Sequence, residues 1–151
     1  EVTAKAIEDG WLHSGDVARA DDEGYYYIVD RIKDMFISGG ENVYPAEIEN
    51  VIFQMPEVAE VTVISVPDPR WQEVGKAVVV LRPGASLSEQ EVIAFCRARL
   101  AGYKTPKSVA FVERLPRNPA GKVLKVEVRG WFVQHGGGQE TAAEQRKAGA
   151  E

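Results

Sequence analysis

Apolar residues along the chain change period several times, and each change predicts an element. Ile48, Val51, Ile52 and Met55 recur at i, i+3, i+4 and i+7, the buried stripe of an amphipathic helix over about 45–55. Pro45 fits its first turn, and Glu47 and Glu49 suit the positive end of its dipole. Val58 to Val66 alternates around Val61 and Val63 and predicts a strand, which Pro67-Asp68-Pro69 is expected to end. Ala77 to Leu81 is apolar without a break, the pattern of a central strand covered on both faces. After a turn at Arg82-Pro83-Gly84, Ser88 and Glu91 form a capping-box pattern, and Val92, Phe95, Cys96 and Leu100 supply the buried side of a second helix. Val109 to Val112 predicts the third main strand. Val123, Leu124 and Val128 anchor a closing helix that reaches about Trp131.

Upstream the pattern is shorter in range. Residues 1–15 end in a glycine-flanked turn. Val17–Ala20, Asp21-Asp22-Glu23-Gly24 and Tyr25–Val29 read as a β-hairpin closed by a glycine. Asp30, Arg31, Lys33 and Asp34 then crowd four charges around Ile32, too dense for a buried strand. Met35, Phe36 and Ile37 give one short apolar strand, followed by Gly39-Gly40, where the backbone can take positive φ or admit a close neighbour. The stretch 30–49 therefore reads as a hinge followed by a docking loop. Together the elements predict an α+β fold: about three antiparallel strands flanked by helices, preceded by a β-hairpin. From Gln134 onward, a glycine triplet and little apolar content predict a disordered tail over 134–151.

Composition narrows the function classes. With 151 residues, 44 % hydrophobic and 27 % charged, the chain can bury a real core. Lys and Arg number 18 against 23 Asp and Glu, and a net charge of −5 argues against nucleic acid as a partner. No apolar run approaches a transmembrane span. Cys96 has no second cysteine to pair with, so the natural setting is a reducing cytoplasm, with association at a membrane surface left open. His13 and His135 lack Cys, His or carboxylate partners at ligand spacing, and no metal site is expected. Glu1 opens the chain without methionine or signal peptide.

Read residue by residue, the candidate chemistry stays open. Asp16 offers two acceptors that match a vicinal diol, yet an aspartate before a strand is usually a turn or capping residue. Trp11 and Tyr25–Tyr27 suit either base stacking or packing. Lys122 stands in a loop stiffened by Pro116, Pro119 and Gly121, where a lysine is ordinarily a solvated surface residue.

DRIKDMFISGGENVYPAEIE, residues 30–49, resembles the hinge motif of the adenylate-forming superfamily in the form typical of medium- and long-chain acyl-CoA ligases. GWLHSGD, DPRWQEVGKAVVVL, LAGYKTPKSVAFVERLP and PRNPAGKVLK resemble further motifs of that family, so the resemblance spans roughly residues 10–132. It departs at His13 and Ser14, where the family more often shows Arg or Lys and Thr. It departs again at Gln72, in place of a glycine, and at Gly102, in place of an arginine.

The resemblance implies a lid domain at 34–133, joined by a hinge at 31–33 to residues 1–30 as the final hairpin of a large nucleotide-binding domain that is otherwise missing. It implies Asp16 and Arg31 as nucleotide-binding residues, Lys33 as the residue about which the lid swings, and Lys122 as the adenylating lysine. Ser38, Gly39, Gly40, Glu41 and Asn42 would contact CoA. The implied substrates are ATP, with Mg2+ held mainly outside this chain, a carboxylic acid, and CoA. A ligase that loads a carrier protein, or an adenylation domain of a peptide synthetase, would share most of these motifs. An independent binding domain is the rival from another class.

Overall fold

A computed structural model describes residues 6–133. Strands β1 (Ile7–Glu8) and β2 (Trp11–Leu12) pair briefly. The predicted hairpin forms from β3 (Asp16–Ala20) and β4 (Tyr26–Arg31), in register from Ala20↔Tyr26 to Asp16↔Arg31 with a bulge at Val17/Ala18. Asp21 organises its turn: one carboxylate oxygen accepts the N–H groups of Glu23 and Tyr25, and the other accepts the Tyr27 hydroxyl. These bonds, the Tyr25 N–H first among them, hold the Asp21 carboxyl below its usual range.

Beyond the hairpin, β5 (Phe36–Ser38), β6 (Glu41–Val43), β7 (Val58–Asp68), β8 (Gln72–Leu81) and β9 (Ser108–Phe111) form one sheet. Its order is β6-β5-β8-β7, with β9 also pairing β8. Helices α1 (Pro45–Ile52), α2 (Glu89–Arg97) and α3 (Lys125–Val133) cover it. The α+β class expected from the pattern is what forms. The sheet is wider than three strands, however, and not wholly antiparallel. β8 and β9 run parallel because α2 lies between them and returns the chain to the same end.

The unbroken apolar run of β8 is explained by its position. Ala77 and Val79 join Ile48, Ile52, Met55, Val58, Val63, Val92 and Cys96 on one face, under α1 and α2. Val78 and Val80 join Ile64, Leu115 and Val128 on the other, under α3. Each fully buried Val or Ile contributes about 1.5–3 kcal/mol relative to exposure. The two cores share one strand, so this domain is three layers deep. The capping box of α2 is complete: Ser88 Oγ accepts the Glu91 N–H while the Glu91 carboxylate accepts the Ser88 N–H.

Strand β7 runs two residues past its expected end, through Pro67 and Asp68, which pair with Glu73 and Gln72. Proline is tolerated because β7 is an edge strand, and its missing N–H costs the ladder nothing on the open side. The expected tail at 134–151 lies outside the described residues, as do residues 1–5.

Candidate functional site

The hairpin brings two predicted residues together. Asp16 and Arg31 face each other as the terminal register pair of β3 and β4, with Arg31 Nε 3.4 Å from Asp16 Oδ1. Both side chains remain partly open to solvent. Ser14 Oγ accepts the Asp16 N–H at 3.2 Å, so the hydroxyl that replaces threonine in the GWLHSGD motif still orients the backbone at Asp16. A carboxylate beside a guanidinium can accept a diol while the cation stands ready for a phosphate oxygen.

Lys33 is exposed at the apex of a turn over residues 32–34. The Arg31 carbonyl accepts the N–H groups of Asp34 at 3.0 Å and Met35 at 3.2 Å, which closes the turn.

The glycine pair differs from the loop expected there. Gly39 and Gly40, with φ of +60° and +89°, are the two central residues of a tight hairpin between β5 and β6, in register Ser38↔Glu41. Positive φ at both positions is what such a two-residue turn requires. The two glycines are not equivalent. A Cβ on Gly39 would lie 2.5 Å from the Trp71 ring, whereas a Cβ on Gly40 meets nothing within 4 Å. Gly39 also donates its N–H to the Trp71 carbonyl at 3.1 Å. Packing thus accounts for Gly39, and Gly40 keeps an open approach. Glu41 and Asn42 are exposed beside it, but Ser38 is only 3 % exposed and lies beneath the turn.

Lys122 sits exposed on a second tight turn, held by bonds the sequence did not advertise. Arg117 and Val123 form an antiparallel bridge. Within it Asn118 N–H donates to the Lys122 carbonyl, Lys122 N–H donates to Asn118 Oδ1, and Gly121 N–H donates to the Asn118 carbonyl. Arg117 donates to the Gly121 carbonyl and pairs with Glu60 of β7. At the root of the same loop, Lys125 Nζ is 2.8 Å from Glu49 Oε1, which also accepts the Val63 N–H and the Thr62 hydroxyl. Glu49 therefore ties α1, which follows the glycine turn, to β7 and to the base of the lysine turn. Lys104 binds both oxygens of Glu47 at 2.8 Å, and this pairing raises the pKa of its ammonium.

Glu49, Glu47, Arg117 and Trp71 were missed as site-building residues. Their partners lie far along the chain, 57 residues apart for Arg117–Glu60 and 76 for Lys125–Glu49. Only the Gly-Gly pair carried a local signal, since Gly-Gly between strand residues marks a two-residue hairpin. Among the described residues no group of three or more His, Cys, Asp or Glu side chains gathers as metal ligands. No helix there is long and apolar enough to cross a membrane.

Comparison with known proteins agrees with this geometry. Feruloyl-CoA synthase of an Amycolatopsis species is 58 % identical over 132 residues, 87 % of this chain and 27 % of the relative. Long-chain-fatty-acid–CoA ligase FadD13 of Mycobacterium tuberculosis is 54 % identical over 129 residues, 85 % of this chain and 25 % of the relative. The crystal structure of ATP-bound MatB from Rhodopseudomonas palustris superposes with a TM-score of 0.81 at 43 % identity, covering 87 % of this chain and 26 % of that one. The chain thus spans about a quarter of the length of these relatives. Residues 47–122, from the first turn of α1 to the exposed lysine, match the AMP-binding enzyme C-terminal domain, and the chain belongs to that family.

Proposed function

We propose that the chain is the lid of an AMP-forming acyl-CoA ligase, together with the last hairpin of the large domain on which it swings. The observation that carries this is the presence of two exposed tight turns in one domain, Gly39–Gly40, just past the exposed turn at 32–34, and Asn118–Lys122, built on the Arg117–Val123 bridge. The domain limits on this reading are 1–30, 31–33 and 34–133, and the acid-binding pocket lies outside the chain. The form of the 30–49 motif supports a fatty acid as the acid. Feruloyl-CoA synthase, at similar identity, acts on an aromatic acid by name and makes that the second reading.

Two reactions follow each other. A carboxylate oxygen of the acid attacks the α-phosphorus of ATP, the bond to pyrophosphate breaks, and an acyl-adenylate forms. The CoA thiolate then attacks the acyl carbonyl carbon, the bond to the phosphate oxygen breaks, and AMP leaves. Negative charge concentrates at different atoms in the two transition states, so one fixed set of groups would serve one of them poorly. Lys122 supplies a mobile ammonium between carboxylate and α-phosphate in the first step. Gly40, with Glu41 and Asn42 beside it, lines the approach of the pantetheine arm in the second. Asp16 holds the ribose diol, and Arg31 faces the ribose and phosphates. Lys33 itself is exposed, so rotation at this turn need not bury its charge.

The test is Lys122→Ala in the full-length enzyme. Losing one preorganised donor costs about 10²–10³ in rate, so adenylate formation should fall by that order. Given preformed acyl-adenylate, the variant should make acyl-CoA at close to the parent rate. Survival of adenylate formation, or an equal loss in both steps, would overturn the assignment.

A further inference from the structure

Helix α1 lacks a cap of its own. Its N-cap residue, Tyr44, makes no side-chain capping bond. The first N–H groups of any helix have no partner inside it, and Pro45 removes one of them. The next, on Ala46, donates to Asp30 Oδ2 at 2.8 Å, from a residue sixteen positions upstream. Asp30 Oδ1 accepts the N–H of Arg31. One half-buried carboxylate on β4 thus caps a helix on the far side of the turn at 32–34.

The place of this bond gives it a consequence. Ile32 N–H donates to the Gly15 carbonyl at 2.9 Å, so the hairpin is tied together right up to the turn. On the other side β5 is already part of the five-stranded sheet. A change of backbone torsion at Lys33 leaves both bodies intact but carries Ala46 away from Asp30. The bond therefore belongs to one pose.

We propose that Asp30 is a positioning residue that latches the lid in the pose seen here, by capping α1 across the hinge and letting go when the lid swings. The inference rests on the two-pose reading above. A cap suits the task, since its loss shifts a two-state ratio several-fold rather than by thousands, and the lid can still turn over. Both partners are only half-buried, so water can satisfy them in the other pose.

The test is a distance measurement between dyes at Asp22→Cys and Ser86→Cys, both exposed, in the full-length enzyme. Cys96 does not compete for label, because burial pushes its thiol up to about 11 and covers it. Asp30→Ala should lower the ratio of this pose to the other by about five-fold, the fold-change of losing a typical cap. Asp30→Asn keeps one oxygen for the Ala46 N–H and should stay within about two-fold of the parent. Adding Tyr44→Asp to Asp30→Ala gives the helix a local cap. That double variant should recover thermal stability but keep the shifted ratio. An unmoved ratio in Asp30→Ala, or a ratio restored by the local cap, would reduce Asp30 to a helix stabiliser and overturn the latch. A single distance in the parent with ATP, adenylate or CoA would instead remove the two-pose reading, and the latch with it.

Discussion

The β3–β4 hairpin and the five-stranded domain are built from similar residues and treat them oppositely. Tyr26 and Ile28 on β4 are 78 % and 69 % exposed, and Trp11 just before the hairpin is 77 % exposed. In the domain, Ile48, Ile52, Val63, Val78 and Val79 are wholly buried. The difference is one of layers. A two-stranded ribbon has no second layer to cover its apolar face, whereas β8 has helices on both sides. The packing reading of the hairpin aromatics is not met within the described residues. An apolar face left open in this way fits a hairpin that completes a larger body, as the proposed function requires.

The sharpest way to break this contrast is to truncate one side chain from each region. Ile48→Ala should cost about 2–5 kcal/mol, because it removes buried methylenes and leaves a cavity under α1. In this chain by itself, Ile28→Ala should change stability by no more than about 0.5 kcal/mol, since its side chain is largely exposed there. Denaturant unfolding of the two variants measures both, and equal losses would mean that hairpin and domain share a core.

A smaller effect separates the two glycines. Gly39→Ala meets the Trp71 ring as well as a positive φ, and should cost about 2–3 kcal/mol. Gly40→Ala carries only the backbone penalty, about 1–2 kcal/mol. In the full-length enzyme, Gly40→Leu should further slow thioester formation while adenylate formation persists. Parallel decline of both half-reactions would assign Gly40 to the turn alone.

The smallest effect is a gain. Gln72, which stands where the DPRWQEVGKAVVVL motif has glycine in the related family, has φ of +68°. A non-glycine residue there costs about 1–2 kcal/mol, against about 0.5–1 kcal/mol that glycine loses through chain entropy. Gln72→Gly should therefore stabilise the domain by roughly 0.5–1 kcal/mol, seen as a melting temperature raised by a few degrees. A lower melting temperature would show that the Gln72 side chain contributes more than its backbone costs.

What could be read from the chain was what repeats locally. The apolar stripe of α1, which ends at Ile52 with Met55 buried just beyond the helix, the capping box of α2, the two-sided apolar run of β8 and the Asp-Asp-Glu-Gly turn each follow from a few neighbouring residues. Strand β6 escaped notice because Glu41, Asn42 and Val43 are too few, and too polar, to show alternation. The parallel pairing of β9 escaped because periodicity gives a strand's faces but not its neighbours. Asp16 opposite Arg31 does not follow from the turn, whose register alone would set Asp16 against Asp30; the bulge at Val17/Ala18 moves it by one residue. Tertiary structure alone decided that Trp71 lies over Gly39, that Glu49 braces the root of the Lys122 turn, and that Asp30 caps α1 across the hinge. These contacts join residues that no period relates, so they exist only once the sheet has set which parts of the chain are adjacent.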